Sequence, residues 1–514
     1  MAMEYSNAQL LWSSVVVLLV YYFINAVSNQ KHAEYPLVGD KWRITPRFKV
    51  NFDFFRNGAR MVQAGYQAYK SEAFQLLRNE GYIVILPPTL LEELSAVPSP
   101  VASPHGALER DLLGPYTGLN LILESRIHHS IVQRKLTPRL PLLTPALEEE
   151  LRFAFQESFL APQNGDWAEF QPYQIFGNIS ARLTARALVG PGFCRDQRWL
   201  DVATQFTEDC LSGPMRSGWF KQYSGANQRC SVQNRRGSTH TSAMGTTPRK
   251  DVLRPKINEL LRGDQTSTPD GFDPETSNVL SWLAESAKGA DRDSDTIAHI
   301  EVLLALASVH TTLLRMVNVL YDITASGDDL ISELRGEIES AFDEDSGVLR
   351  ESQRMSPPTT LGMKRLFKEE FTFSSGLRMP RGTYACMPVY AIENDPANTP
   401  NPDRFDGLRY YRAPQSTPPK RGEVSAAATA RAAEDDRERL FTSPGKTALN
   451  FGYGKSACPG RFFASLIIKM LFVKLLTEYE FRFLPGHGRP SNLLAHEFLF
   501  CWPWQKMLVR RRQQ

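Results

Sequence analysis

Hydrophobic positions along this chain fall into distinct patterns. The first is an unbroken run at residues 8–27, AQLLWSSVVVLLVYYFINAV, about twenty residues without a charge and with Trp12, Tyr21 and Tyr22 among them, which is the length that crosses a bilayer core. Basic residues follow it at Lys31, Lys41, Arg43, Arg47 and Lys49. Positive charge on that side predicts a single-pass anchor over residues 1–30 and a cytosolic body. A second pattern repeats at three and four, as in NFDFFRNGARMVQAGYQAYKS and ALEEELRFAFQESFL, and predicts helices through most of residues 50–220. Residues 296–324 and 461–480 are longer apolar segments that also read as helices. The third pattern is short: YIVILPP predicts a strand ending at a proline pair, and residues 358–402 predict short strands joined by glycine turns at Gly376 and Gly382.

Two stretches break these patterns. Residues 222–250 and 413–439 are polar with little periodicity, and predict flexible inserts in one domain spanning residues 31–514. With 42% hydrophobic and 22% charged residues in 514, the chain can bury a large core. Its formal charge of +3 gives no electrostatic footprint for nucleic acid. Cys194, Cys210, Cys230, Cys386, Cys458 and Cys501 are scattered with no CxxC pair, which argues against zinc or a disulfide framework and for a reducing compartment.

The most specific chemistry lies in FGYGKSACPG, residues 451–460. A cysteine that presents a thiolate to a metal needs backbone N–H groups aimed at its sulfur, hence a tight glycine-bearing turn and a helix N-terminus behind it. Gly452, Gly454 and Gly460 supply the turn, Pro459 suits a first helical position, and the apolar helix follows. The spacing Phe451-x-x-Gly454-x-x-x-Cys458-x-Gly460 resembles the haem-binding loop of the cytochrome P-450 family of haem-thiolate monooxygenases. The resemblance covers most of residues 30–220, 296–412 and 441–510. It implies a mainly α fold with a small β region, haem b as cofactor, and Cys458 as the axial iron ligand whose thiolate favours O–O cleavage.

Within residues 296–324, Ala307 and Thr311 are four apart and share a helix face. A small residue there leaves room for a ligand, and a threonine hydroxyl can pass protons to bound dioxygen. Hydroxyls in helices also bond back to their own carbonyls. The Ala307-Ser308-Val309-His310-Thr311-Thr312 run is similar to the family's small-small-x-acid-Thr-Thr pattern, with His310 in the acid's place. In this form it resembles a fungal branch that includes ent-kaurene oxidase and other terpenoid and mycotoxin hydroxylases. The resemblance implies that Thr311 and His310 manage protons.

Further elements of the same resemblance are Glu351-x-x-Arg354 and Pro402-Asp403-Arg404-Phe405. Glu351 and Arg354 are three apart on a helix and can pair, and Arg404 could bridge to the same carboxylate. The helix before them runs almost directly into VLRESQR, a shortening that predicts a displaced Glu351. By resemblance, residues 358–362 line the substrate pocket. Arg365 and Arg134, with its neighbour Lys135, are candidates for the haem propionates, a surface or solvated role being the competing reading for each.

The sequence carries no GxGxxG unit, so electrons are expected from a separate NADPH-cytochrome reductase, with Lys455, Arg461 and Lys469 as basic contacts. The expected reaction uses dioxygen to oxidise a hydrophobic terpenoid or polyketide-like metabolite at the endoplasmic reticulum membrane. A reductase-independent rearrangement or dehydration is one alternative, and a non-catalytic remnant damaged in the shortened segment before Val348 is the other.

Overall fold

The computed structural model describes residues 16–17, 20, 35–39, 47–78, 81–111, 126–159, 165–204, 250–263, 272–340, 347–412 and 439–513. Apart from a few residues, the expected anchor and both expected inserts lie outside these.

Helix α1 (Arg47–Ala68) leads to β1 (Phe74–Arg78), β2 (Gly81–Ile85), β3 (Ala102–Ser103) and α2 (Pro104–Asp111). Helix α3 (Ile127–Ile131) continues through a widened π turn at Val132–Leu136 into α4 (Thr137–Ser158). Then come β4 (Ala168–Phe170), α5 (Pro172–Leu188), α6 (Val279–Ser286), α7 (Ser294–Ser326), α8 (Asp328–Glu339) and α9 (Gly347–Met355). The last third contains β5 (Gly362–Phe367), β6 (Tyr384–Met387), α10 (Val389–Glu393) and α11 (Arg409–Arg412). It ends with α12 (Arg461–Glu478), β7 (Tyr479–Phe483), the hairpin β8 (Leu493–Ala495) and β9 (Phe498–Phe500), and β10 (Met507–Arg511).

Helix α7 is the spine. The Asp293 carboxylate caps it by accepting the Thr296 N–H at 2.9 Å. It is long and apolar enough to cross a membrane, yet most of it is buried inside the protein, as an apolar helix at the centre of a helical core should be. Helix α5 approaches it closely at Gly177, where an added Cβ would already touch Leu313. Nearby the Ser180 hydroxyl donates to the Val309 carbonyl at 3.0 Å. Leu147 of α4, Phe176 of α5, Met316 of α7 and Leu471 of α12 belong to one buried cluster. The fold is thus mainly helical with a small β region, as expected.

The main sheet has the order β1-β2-β6-β5-β3, with β2 parallel to β6 and β5 antiparallel to both its neighbours. Strand β5 carries a register shift between Gly362 and Arg365, and Met363 within it has φ +50°. Such a bulge re-aims the side chains that follow it. Lys364 and Arg365 then face opposite ways, as neighbours in a strand do.

Lys364 turns into a buried four-charge cluster. Its Nζ lies 2.7 Å from Asp111 and 2.9 Å from Glu497, while Arg78 lies 2.7 Å from Asp111 and 3.4 Å from Glu497. The Tyr384 hydroxyl donates to Asp111 at 2.7 Å. The charges cancel, which lets the group stay out of water. The cluster ties β1, α2 and β5 to the tip of the β8–β9 hairpin, where the Glu497 carbonyl also accepts the Thr360 N–H at 2.7 Å. Burial alone would raise both carboxyls, but Lys364 and Arg78 overcome it and hold Asp111 and Glu497 below the usual carboxylate range.

Replacing Glu497 by Gln leaves an unbalanced buried cation and is expected to lower stability by about 3–5 kcal/mol in denaturant titration. Glu370→Gln, at an exposed pair with Arg378, should leave it unchanged. Because both carboxyl pKa values are depressed on folding, the cluster's contribution is complete above about pH 5 and is lost as pH falls through the folded-state values.

Candidate functional site

Cys458 sits between a tight turn and the start of α12. Its N–H donates to the Phe451 carbonyl at 2.7 Å, and Phe451 is fixed edge-on against Phe441 with ring centroids 5.2 Å apart. Gly452 has φ +78°, and a Cβ there would come within 2.8 Å of the Ser456 carbonyl, so only glycine allows the turn to close. Gly454 also lies at positive φ. A Cβ on Gly460, the N-cap of α12, would lie 3.9 Å from the sulfur.

Burial raises the Cys458 thiol above its ordinary value, and the Gly460 and Arg461 backbone N–H groups together with the Arg461 charge act against it. A sulfur so placed, with amides aimed at it and no carboxylate beside it among the described residues, is suited to bind a cation as the thiolate, its proton being released to water. Arg461 also donates to the Cys458 carbonyl at 2.9 Å and stacks on Phe462. It is therefore engaged with the loop, while Lys455 is exposed.

Arg365 faces this loop. It is 3% exposed and donates to the Ser456 hydroxyl at 3.0 Å and to the Lys364 carbonyl at 2.9 Å, with no carboxylate partner among the described residues. Burial pulls its pKa down to about 10. Further positive groups gather nearby. Burial lowers His105, and Arg126, His129, Arg365 and Lys368 lower it further; burial and Arg126 likewise lower His129. A buried guanidinium without a counter-ion beside more cationic groups calls for an anion. The sequence pointed to Arg365 but not to His105 or Ser456, which no local pattern marks.

Arg134 shares a cleft with Arg126, one of the cations near His105. It lines an outer cleft of about 470 Å³ with Arg126, Ile127, Ser130, Ile131, Lys135, Ser286 and Asp291, and Lys135 pairs there with Glu285 at 2.6 Å. The π turn at Val132–Leu136 alters the rotation per residue, so helical phase reckoned from sequence does not hold here.

On α7, Ala307 and Thr311 are the only exposed residues between Ile297 and Ile323. They form an open stripe of small side chains on an otherwise buried helix. The Thr311 hydroxyl donates to the Ala307 carbonyl at 2.8 Å. His310 does not join it. One residue on a helix is about 100° of rotation, and the His310 ring is buried with Nε2 3.3 Å from the Thr204 carbonyl. The expected pairing of Thr311 with His310 is therefore not formed: the two side chains have different partners.

The charged clamp forms, with one change of membership. Glu351 and Arg354 are wholly buried and paired through one guanidinium edge, Nε at 2.8 Å and Nη2 at 2.7 Å, so the short connection before α9 does not displace Glu351. The third member is Arg409, not Arg404. Arg409 Nε donates to Glu351 at 3.1 Å, and its other nitrogens donate to the carbonyls of Pro400, Asn401 and Arg404. The Arg404 side chain is exposed and contributes its carbonyl, which also accepts from Arg354. Arg409 opens α11 and is followed by aromatic Tyr410, a signal that the nearer Arg404 obscured.

These parts, a buried sulfur at a helix N-terminus under a glycine turn, an uncompensated cationic wall and a clamp beside them, occur here on a mainly helical scaffold. The cytochrome P450 family profile matches residues 250–507. The chain belongs to the cytochrome P450 family, and is accordingly an oxidoreductase of the monooxygenase class whose cofactor is haem b. It is 31% identical over 97% of its length to the cytochrome P450 monooxygenase AN1598 of Emericella nidulans, covering 91% of that protein. To the monooxygenase olcJ of Penicillium canescens it is 30% identical over 97% of the chain and 92% of the relative. To the ent-kaurene oxidase P450-4 of Gibberella fujikuroi it is 28% identical over 96% and 95%. Its fold matches a crystal structure of a cytochrome P450, CYP102L1, with TM-score 0.61 and 15% identity, covering 93% of this chain and 99% of that one.

Arg409→Ala should cost about 3 kcal/mol or more in chemical denaturation, because it removes a partner of a buried carboxylate. Arg404→Ala should stay within about 0.5 kcal/mol of the parent.

Proposed function

We propose that this protein is a membrane-anchored monooxygenase that oxidises a hydrophobic terpenoid or polyketide-like secondary metabolite, using dioxygen and electrons from an NADPH-cytochrome reductase. The observation that carries this reading is the Cys458 loop, whose turn, amides and helix start leave one sulfur available to iron. Haem b, when bound, supplies the iron chemistry that places one atom of dioxygen in a C–H bond and sends the other to water.

The chain's own residues have separable tasks in this reading. Cys458 holds the iron, with the Gly460 and Arg461 amides stabilising negative charge on its sulfur. Arg365 binds a propionate, with His105, His129, Arg126 and Lys368 adding positive potential. Ala307 keeps space open, and the Thr311 hydroxyl exchanges its bond to the Ala307 carbonyl for one to water and so passes protons inward. Residues 358–362 meet the β8–β9 hairpin, with Thr359 bridged to Phe498, and form part of the substrate wall. Glu351, Arg354 and Arg409 hold the chain around residues 400–404.

The named activity of the ent-kaurene oxidase relative supports a terpenoid-sized substrate. The uncharged run at residues 8–27, with basic residues after it, supports an endoplasmic reticulum anchor and a cytosolic domain over residues 31–514.

Reduced protein expressed with ample haem should give the red-shifted carbon monoxide band of a thiolate-ligated iron, and Cys458→Ala should lose both the band and NADPH-dependent turnover. A colourless wild type, or an alanine variant that keeps both, overturns the assignment. Thr311→Ala should keep the band but release more hydrogen peroxide and less product per NADPH consumed. Turnover that proceeds without NADPH and reductase would instead identify a rearrangement.

A further inference from the structure

Glu393, the last residue of α10, is 2% exposed and stands where three segments meet. One carboxylate oxygen lies 2.5 Å from Arg350 of α9, and the other accepts from the Asn450 amide at 2.5 Å. Arg350 is itself buried and packs over the Tyr410 ring of α11, 5.2 Å from its centroid. Asn450 immediately precedes Phe451, the residue whose carbonyl accepts the Cys458 N–H. An unbroken line of contacts therefore runs from α9 through Glu393, Asn450 and Phe451 to Cys458. The neighbouring clamp takes a different route: Arg354 and Arg409 donate to carbonyls of Pro400, Asn401, Pro402 and Arg404, not to the cysteine loop.

We propose that Glu393 is a positioning residue for the sulfur ligand, transmitting the fixed position of α9 through Asn450 to the turn that holds Cys458. The inference rests on the reading of Cys458 as the iron ligand. A carboxylate suits the task because its two oxygens satisfy an arginine and an amide at once. Its charge balances Arg350, and charge-assisted hydrogen bonds are stronger than neutral ones. Asn450 suits it because a short side chain transmits position with little slack. Clamp and relay leave α9 from adjacent residues, Arg350 and Glu351, so one helix holds both the chain at 400–404 and the loop at 450–458.

Asn450→Ala removes only the last link and leaves the Arg350–Glu393 pair and the clamp in place. In the full-length protein it should keep its far-ultraviolet circular dichroism and its haem content. The share of reduced protein giving the red-shifted carbon monoxide band should fall several-fold. In the haem-free protein, iodoacetamide should label Cys458 several-fold faster than in the parent. Asn450→Asp sets two carboxylates against each other and should lower the band share further. The double variant Asn450→Asp with Glu393→Gln restores a donor–acceptor pair across the same gap at the parent's net charge, and should recover it.

Parental band share and labelling rate in Asn450→Ala overturn the proposal. So does a double variant no better than Asn450→Asp, since that would reduce the effect to general destabilisation. If the parent itself lacks the band, the Cys458 assignment fails, and the labelling rates on haem-free protein still decide whether Asn450 holds the loop.

Discussion

A charge taken out of water must meet an opposite charge close by or become neutral, and this requirement arranges the half of the molecule that surrounds Cys458. It is met by cancellation in the Arg78, Asp111, Lys364 and Glu497 cluster, and by bidentate pairing between Glu351 and Arg354. It is met by neutralisation at Glu301 of α7, whose wholly buried carboxyl has no hydrogen-bond partner among the described residues and is raised by burial well above its ordinary pKa. Arg365 meets it in neither way within the described chain. That exception leaves an unbalanced buried cation on the wall that faces the Cys458 loop, where Arg365 donates to the Ser456 hydroxyl.

Legibility in the sequence followed how local each requirement was. The cysteine loop could be read because glycines at 452, 454 and 460 encode its backbone path directly, and the partners of that path are within ten residues. The helix α7 could be read because its apolar run leaves no other place for it than a core or a membrane. Arg409 could not be chosen over Arg404, since the choice depends on where α11 begins relative to α9, which only the assembled structure decides. His310 shows the same limit: adjacency to Thr311 in sequence means directions about 100° apart on a helix. Arg134 rests on resemblance alone, in a stretch whose π turn no sequence pattern marks. His105 carried no signal, because a histidine near one end of a short helix is ordinary until the cations around it are seen.

The two uses of α7 explain its mixed composition. Its buried faces pack against α5, with Gly177 allowing close approach and Ser180 taking up the Val309 carbonyl. Its remaining face changes to alanine and threonine at the positions left open. Stability comes from the first, and the second leaves an open stripe on the helix. The helix tolerates the second because the first is extensive: forgoing one packed face over a single turn is a small loss against a spine buried along most of its length.

Strand β5 places Arg365, which donates to Ser456 of the cysteine loop, and Lys364, which pairs with Glu497 of the hairpin, on consecutive residues, separated only by the alternation of side chains. Insertion or deletion of a single residue upstream of them within the strand would swap their directions, stranding a lysine against the thiolate loop and an arginine among Asp111 and Glu497. The contact with the cysteine loop and the four-charge cluster would fail together from one frame slip. Substitutions elsewhere in the hairpin would leave that frame untouched. The length of β5 is thus fixed by two separate contacts at once, while side chains around it can be exchanged without moving either.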